Sequence, residues 1–595
     1  MAYLSLVLVL AAASQVIGHS IPPPANPDPS HPSQPQSQCR YLPGDAGWPD
    51  DAAWHHLNQT VEGRLIRGTP LGRPCHSPYL DDARCAEIQR DWSLIPPFIH
   101  DPVNVVSPYW VNTSCSPFTS PDTPCELGNL APYALRVSKA ADVVAGLRFA
   151  RAHNVRLTIK NTGHDFLGRS AGAGSLALWT HHLKDITFFD NYYRASGGDG
   201  EGSDGYAGPA VRLGAGVEYA DVYPAASARG LRVVGGSCPS VGIAGGFTQG
   251  GGHGPLGSAY GLGADQVLEW EVVTAAGEHL TASPTRNADL FWALSGGGPG
   301  NYAVVLSVTV RAYKDGPVAG AGFGFANTGG GDGDDARYWD AVTAWLQYLP
   351  VLDRIPGLTT VWSLSARGFE LTFATWPDAT SAAQIDDALA PLLDQLARRN
   401  VSLGASYAST LYPSYAQHYE RWAFQDYSKD VALGGRLIPR SVVADEAAGL
   451  PSLIANFRRV SEGGAQTFFV AGNFSSRGGR PANAVLPAWR DALAVTAFSR
   501  TVPAGATWDE IRASQAQANA WQGGLRAATP GGGSYMNEAT WDDPHWKEDY
   551  FGANYGGLLA VKESYDPTHV FWANAAVGSD RYWRAGANQR LCRVE

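Results

Sequence analysis

Charge is scarce in this 595-residue chain: Asp, Glu, Lys and Arg together make up 17%. Basic excess is missing altogether. The net charge of -11 leaves no basic face for a phosphate backbone, which argues against a nucleic-acid partner. Long apolar runs are absent beyond the N-terminus, so no membrane partner is expected. Several chemistry-bearing motifs are absent too. No Gly-x-Gly-x-x-Gly joins a strand to a helix; Gly214-Ala215-Gly216 comes nearest, and Tyr219 stands where the third glycine belongs. There is no Gly-Lys-Ser/Thr phosphate loop, which disfavours phosphoryl transfer. There is no His-Glu-x-x-His zinc helix and no Gly-x-Ser-x-Gly elbow. The pairs His55-His56 and His181-His182 have no partners at ligand spacing, so no metal is expected.

What is present starts with 44% hydrophobic residues, enough for sizeable cores in two to four domains. Leu4 to Ala13 is a short apolar run followed by Val16-Ile17-Gly18, the pattern of a signal peptide over 1–18. Residues 19–38 are rich in Pro, Ser and Gln and read as a disordered leader. Asn58, Asn112, Asn400 and Asn473 each head an Asn-X-Ser/Thr triplet, and N-glycans there would fit a secreted, extracellular protein. The seven Cys are an odd number. In an oxidising compartment six of them can form three disulfides: Cys75 with Cys85, Cys115 with Cys125, and Cys39 with Cys592, the last tying the termini together. Cys238 is left over, inside Gly-Gly-Ser-Cys-Pro-Ser-Val-Gly, and needs its own explanation: a buried thiol or a special role.

Along the chain, Tyr133–Val137 reads as a strand, Ala140–His153 as a helix and Arg156–Ile159 as a strand, a βαβ unit. It runs into the loop Asn161-Thr162-Gly163-His164-Asp165, at a strand end where ligands collect in α/β folds. Ala210–Gly214, Tyr219–Arg229 and Leu231–Val234 repeat strand, helix, strand, and a glycine-rich stretch follows from Gly235 to Gly263. Val267–Thr274 and Tyr302–Val310 read as strands around a short helix at Ala288–Leu294. Composition then shifts. Asn327–Asp335 reads as a surface loop and Tyr338–Leu349 as an aromatic helix. Leu358–Leu364 and Phe369–Trp376 look like neighbouring strands, and Ala382–Leu396 is amphipathic with Ile385, Leu389, Leu392 and Leu396 on one face. A second α+β domain is expected here.

Two loops of small residues therefore carry the chemistry, one with a His beside a Gly, the other with a Cys beside a Pro. Glycine lets backbone N–H groups approach a phosphate or a ring edge, and His nitrogen and Cys sulfur are nucleophiles toward an electrophilic cofactor. Ile159 to Gly168 and Cys238-Pro239-Ser240-Val241-Gly242, with Gly245-Gly246 and Gly250-Gly251-Gly252-His253-Gly254, follow one another in that order. Tyr260 to Asp265, Asn287 to Leu294, Tyr535-Met536-Asn537, Phe551 to Tyr555 and Tyr565-Asp566-Pro567 come after them. This series resembles the vanillyl-alcohol-oxidase/PCMH flavoprotein superfamily, and within it the fungal berberine-bridge-enzyme-like oxidases. Cys39 to Asp45 is similar to members sometimes called isoamyl alcohol oxidases.

The resemblance implies an α+β, two-domain fold: a discontinuous FAD-binding domain plus an antiparallel-sheet substrate domain. It places a disulfide-bearing N-terminal part at 39–129, the PCMH-type domain at 130–313, the substrate domain at 320–529 and a returning C-terminal segment at 530–595. It implies FAD held twice, by His164 at the 8α-methyl and Cys238 at C6. It implies cofactor contacts from Lys160, Asn161, Thr162, Gly163, Asp165 and Gly168 in the first loop. In the second they come from Val241, Gly242, Gly245, Gly246, Gly250, Gly251, Gly252, His253 and Gly254, with Leu262 and Asp265 beyond. Val241 falls at the family's oxygen-gate position. Tyr535 falls at the base position with Asn537 beside it. A free tyrosine titrates near pH ~10, so a cation or base would have to lower it. The expected activity is oxidation of an alcohol-type small molecule, with dioxygen as acceptor and peroxide as product. Oxidative cyclisation or desaturation of a secondary metabolite is the alternative, and a non-catalytic flavin-binding protein the more distant one.

Overall fold

The computed structural model describes residues 38–594, apart from 195–204, 329–333, 404–405, 423–427, 476–481 and 587–588. The expected signal peptide, all of the leader but Gln38, and the middle of the Asn327–Asp335 loop lie outside the described residues. Residues 39–595 cluster as one unit. Within it two layered regions stand side by side.

The first region holds two sheets. In one, β1 (Leu65–Arg67), β2 (Tyr133–Arg136), β3 (Arg156–Lys160) and β4 (Ser175–Trp179) run in the order β1-β2-β4-β3. Strands β2, β4 and β3 are parallel, and β1 is antiparallel to β2. The expected βαβ unit is present, but its two strands are not neighbours: β4 inserts between them. All five residues of β4 are buried, as a central parallel strand covered on both faces requires, so it lacks the alternation that marks a strand in sequence. The crossover helix Ala140–Ala152 starts where Asp142 accepts the N–H groups of Ser138 and Lys139 through its carboxylate. It buries Val143, Leu147 and Ala150.

The other sheet of this region is antiparallel, with order β5-β6-β10-β8-β9. Its strands are β5 (Ile186–Arg194), β6 (Tyr206–Gly214), β8 (Val267–Thr274), β9 (His279–Ala282) and β10 (Ala303–Arg311). The short β7 (Leu231–Arg232) pairs with β11 (Tyr313–Lys314). One large apolar core joins β6, β8 and β10 to the loops at 98–111 and to the C-terminal helices at 546–565. The C-terminal segment thus packs on the first region.

The second region is a seven-stranded antiparallel sheet. It comprises β12 (Val318–Ala326), β13 (Thr359–Ser365), β14 (Gly368–Pro377), β15 (Ala408–Tyr412), β16 (Val431–Pro439), β17 (Gln466–Ala471) and β18 (Ala492–Thr501). Their order is β15-β12-β14-β13-β17-β18-β16. Helices Asp334–Leu352, Ala383–Arg398, Gly449–Glu462 and Trp508–Ala528 share its core. Ile385, Leu389, Leu392 and Leu396 are buried as their spacing predicted. Trp362 stacks on Phe469 with ring centroids 3.6 Å apart, and Trp345 meets Trp362 edge-on.

The three disulfides are Cys39–Cys592, Cys75–Cys85 and Cys115–Cys125. Cys238 stands outside them.

Candidate active site

A cleft opens where the two glycine-rich loops and the C-terminal segment meet. The first loop leaves the end of β3 and contributes Asn161, Thr162, Gly163, His164 and Asp165 to the wall. The second follows β7 and contributes Val241, Gly242, Gly245 and Gly246. Tyr535, Asn537 and Glu538 also line the cleft, at and just before the short 3-10 turn Met536–Glu538. From the seven-stranded sheet only Leu433 reaches the lining, among the described residues. Gly242 is required by close approach: a Cβ there would stand 2.0 Å from Asn161 Oδ1.

The loop residues suit a flavin dinucleotide. Asn161 donates to Thr180 Oγ1 at 3.2 Å and to the Ala215 carbonyl, while its own buried Oδ1 accepts from no described residue and is left for a ligand. His164 sits in the lining with its Nε2 2.9 Å from Ser240 Oγ. Burial, helped by the charge of Lys160, pushes this imidazole down to about 4, so it is neutral and nucleophilic at ordinary pH. Ser240 Oγ also lies 3.5 Å from Cys238 Sγ. Both residues singled out for covalent attachment therefore converge on one hydroxyl beside the cleft. Backbone room, an unspent acceptor and two nucleophiles fit a covalently held flavin.

Other residues expected at the cofactor do not line this cleft, and their contacts say what they do instead. Lys160 Nζ is buried against the carbonyls of Phe98, Ile99 and Asp101, the last at 2.5 Å, and so fixes the 98–101 loop under the first loop. Gly168 lies against the Trp110 ring. Gly250 makes room for Asn537, whose Nδ2 would be 2.5 Å from an added Cβ, while Gly251 and Gly252 adopt positive φ. Gly254 packs on the Gly235 carbonyl, and Leu262 is fully buried. Asp265 is spent as a lock: it accepts both forks of Arg490 at 2.7 and 2.8 Å and the amide of Asn483 at 2.7 Å. That buried bidentate pair joins the second loop to the sheet region. His253 turns instead to the C-terminal segment. Its Nε2 meets Glu538 at 3.1 and 3.2 Å, and its ring stands edge-on to Tyr535.

Tyr535 is buried among Trp489, Val485 and Leu486. Its Oη accepts the Asn537 Nδ2–H at 2.8 Å, and the same amide nitrogen donates to the Gly246 carbonyl at 2.7 Å. Asn537 thereby fixes the phenol against the second loop. Burial pushes the Tyr535 phenol well up from its ordinary value, and the charge of Glu538 pushes it further. The cation needed to lower it is not among the causes acting on it. Glu538 was missed in the sequence although it is the next residue after Tyr-x-Asn. Ser240 was likewise passed over inside the quoted Cys-Pro-Ser-Val-Gly. Arg169 also lines the cleft, with its guanidinium on the carbonyls of Asn574 and Ala575.

Comparison with known proteins follows the same lines. The FAD binding domain family model matches residues 131–283, and the berberine and berberine-like model matches 534–578. A VAO-type flavoprotein oxidase, VAO615, of Thermothelomyces thermophilus is 42% identical over 93% of this chain and 95% of its own. The crystal structure of VAO-type flavoprotein MtVAO615 from Myceliophthora thermophila C1 superposes with a TM-score of 0.87, at 41% identity over 93% of this chain and 100% of that one. Bifunctional decalin synthase calF of Penicillium decumbens is 41% identical over 94% of this chain and 96% of its own. A glucooligosaccharide oxidase of Acremonium strictum, described with 6-S-cysteinyl, 8α-N1-histidyl FAD, shares the fold at a TM-score of 0.59. It is 17% identical and covers 76% of this chain and 92% of its own.

Proposed function

Because this chain belongs to the VAO-type, berberine-bridge-enzyme-like flavoproteins, which are FAD-linked oxidoreductases, we propose that it is a secreted oxidase of hydroxyl-bearing small molecules. The observation that carries this reading is one cleft lined by His164, the Val241–Gly246 loop, Tyr535, Asn537 and Glu538 together. His164 and Cys238 would hold FAD covalently. When bound, the flavin would take a hydride equivalent from the substrate's carbinol carbon and give the electrons to dioxygen, yielding hydrogen peroxide.

The chain's own residues handle position and protons. Tyr535 Oη already accepts from Asn537, so its own proton is left to donate to the substrate oxygen. The resemblance casts Tyr535 as the base, but its surroundings oppose a phenolate. We therefore assign proton acceptance to the Glu538 carboxylate on the same wall, with the His253 imidazole as its partner. Trp489 and Val485 keep water from the back of Tyr535. Val241 lines the same cleft, and as the oxygen-gate position of the resemblance it would leave dioxygen access to a bound flavin. Three disulfides support an oxidising destination. Asn58, Asn112, Asn400 and Asn473 all stand at least partly exposed, as glycan acceptors must.

A second reading, oxidative cyclisation in a biosynthetic pathway, is favoured by the decalin synthase relative. One experiment addresses both. The purified protein is mixed anaerobically with alcohols, oligosaccharides and phenolics while the flavin absorbance is followed, and peroxide is measured on admitting air. Bleaching by a range of hydroxyl compounds with equimolar peroxide is expected. Bleaching by one polyketide-type precursor alone, with a rearranged product, would favour the cyclase. A yellow protein that no compound bleaches would overturn the oxidase reading.

A further inference from the structure

Strand β16 ends the order of the seven-stranded sheet, so only one of its edges is paired with a strand, β18. A buried backbone edge must find other partners. The C-terminal segment and the helix Trp508–Ala528 supply them. The Leu437 N–H donates to the Gly533 carbonyl at 2.9 Å. The Gly435 carbonyl accepts the Ser534 Oγ–H at 2.8 Å, and the Gly435 N–H donates to Gln522 Oε1 at 3.1 Å. These partners flank the turn that carries Tyr535, Asn537 and Glu538.

Gln522 joins three segments. It lies in the helix Trp508–Ala528 and is buried. Its one amide oxygen accepts two N–H groups, from Gly435 on the sheet edge and from Thr540 at 3.1 Å, while its Nε2 donates to Asp543 Oδ2 at 2.7 Å. Before the turn, the Ser534 N–H donates to the Asp549 carbonyl at 2.7 Å, and the Asp549 carboxylate meets Arg436 at 2.6 Å. Glu538 thus stands between two anchored points, Ser534 and Thr540, and both anchors converge on Gly435. The fit is close: a Cβ on Gly435 would lie 2.8 Å from the Glu538 carbonyl oxygen, so the missing side chain lets that backbone rest on the strand. Along the same helix Gln515 and Asn519 hold the Asp542 carboxylate and Arg526 holds that of Asp549. Gln522 differs from them in gripping the backbone itself, beside Glu538. One oxygen shared by N–H groups of two segments fixes their separation, and an apolar side chain of similar length would leave both donors buried without that acceptor.

We propose that Gln522 is a positioning residue for proton acceptance: by tying Thr540 and Asp543 to Gly435 it fixes the Glu538 carboxylate in the cleft lining, against His253. Gln522 lies outside that lining and acts through Glu538. The inference rests on the reading of Glu538 as the base.

The test uses the full-length holoprotein with Gln522→Met, Gln522→Glu and the double exchange Gln522→Glu with Asp543→Asn, each also built on Glu538→Gln. The probe is whichever alcohol, oligosaccharide or phenolic bleaches the wild-type flavin fastest, and anaerobic bleaching is timed over a range of its concentrations. Gln522→Met removes all three bonds, and Gln522→Glu only the donor to Asp543. The double exchange restores that bond with donor and acceptor reversed. Gln522→Met is expected to slow bleaching at saturation about ten-fold or more, as a misplaced base does, with the half-saturating concentration within about two-fold of wild type. Gln522→Glu is expected to slow it less, and the double exchange to return it to within about two-fold of wild type. On Glu538→Gln the same changes are expected to have almost no effect, because a residue acting through Glu538 has nothing left to act on. Equal slowing in both backgrounds gives Gln522 a structural role alone and overturns the proposal. So does wild-type bleaching by the folded Gln522 variants. Where Gln522→Met yields no folded protein, Gln522→Glu and the double exchange decide by the same comparison. A crystal structure of the slowest folded variant is a reading independent of the probe: Glu538 beyond hydrogen-bond reach of His253 is expected, and an intact contact overturns the proposal. A Glu538→Gln protein that bleaches at wild-type rate overturns the base reading and this inference with it, a failure told apart because Gln522 is unaltered in that protein.

Discussion

The loop-built side of the cleft and the seven-stranded sheet behind it are made on different terms. The loops bury polar groups at the cleft: Asn161 Oδ1 accepts from no described residue, and the His164 ring meets the Ser240 hydroxyl. The sheet region packs its aromatic rings on one another: Trp345, Trp362, Phe369 and Phe469 form a cluster, and among the described residues of that sheet only Leu433 reaches the lining. Chemistry and stability are thus largely divided between two parts of one unit. The division is not clean, because Asp265, just beyond the second loop, is consumed in locking Arg490.

The largest effect that would test this division is on catalysis. Glu538→Gln is expected to lower kcat about 100-fold or more, the usual range for removing an acid–base group, with the flavin spectrum and Tm little changed. Turnover at wild-type rate would return the base role to Tyr535. On the sheet side the expectation reverses. Trp362→Ala removes a fully buried ring and should cost about 3–5 kcal/mol in denaturant unfolding, while FAD attachment persists in the folded fraction. Loss of the covalent flavin from well-folded Trp362→Ala protein would show the two regions coupled after all.

The smallest expected effect is acid sensitivity on the sheet side. His418 is buried against Thr375 and the Ala374 carbonyl, and burial pushes it down to about 4. Above pH ~6.5 it is neutral whether folded or unfolded. As pH falls from there toward 4, the unfolded chain takes up a proton that the folded one refuses, so stability is lost across that window, by up to about 3 kcal/mol. Unfolding midpoints measured from pH 7 to 4 should fall, and the slope should be shallower in His418→Gln. Equal slopes would assign the acid loss to other groups.

Sequence reading reached unequally into the two regions. Helix Ala383–Arg398 was legible because four apolar residues repeat at helical spacing. Strand β4 was not, because burial on both faces removes the alternation that marks a strand, and its insertion between β2 and β3 is a pairing choice that no local pattern records. Strands β15 to β18 escaped for a similar reason: their partners lie tens of residues away, and register is fixed by the assembled sheet.

By itself, the sequence determined the kind of cofactor. The loops proposed to meet it were legible for the same reason: a His, a Cys and clustered glycines are short-range features written in adjacent residues. Only the tertiary structure decided that Glu538 pairs with His253 across 285 positions, that Asp265 braces Arg490 instead of facing a ligand, and that Ser240 stands between imidazole and thiol. Those roles depend on where distant segments come to rest. Electrostatics and hydrogen bonding act over a few ångströms of space, regardless of separation along the chain.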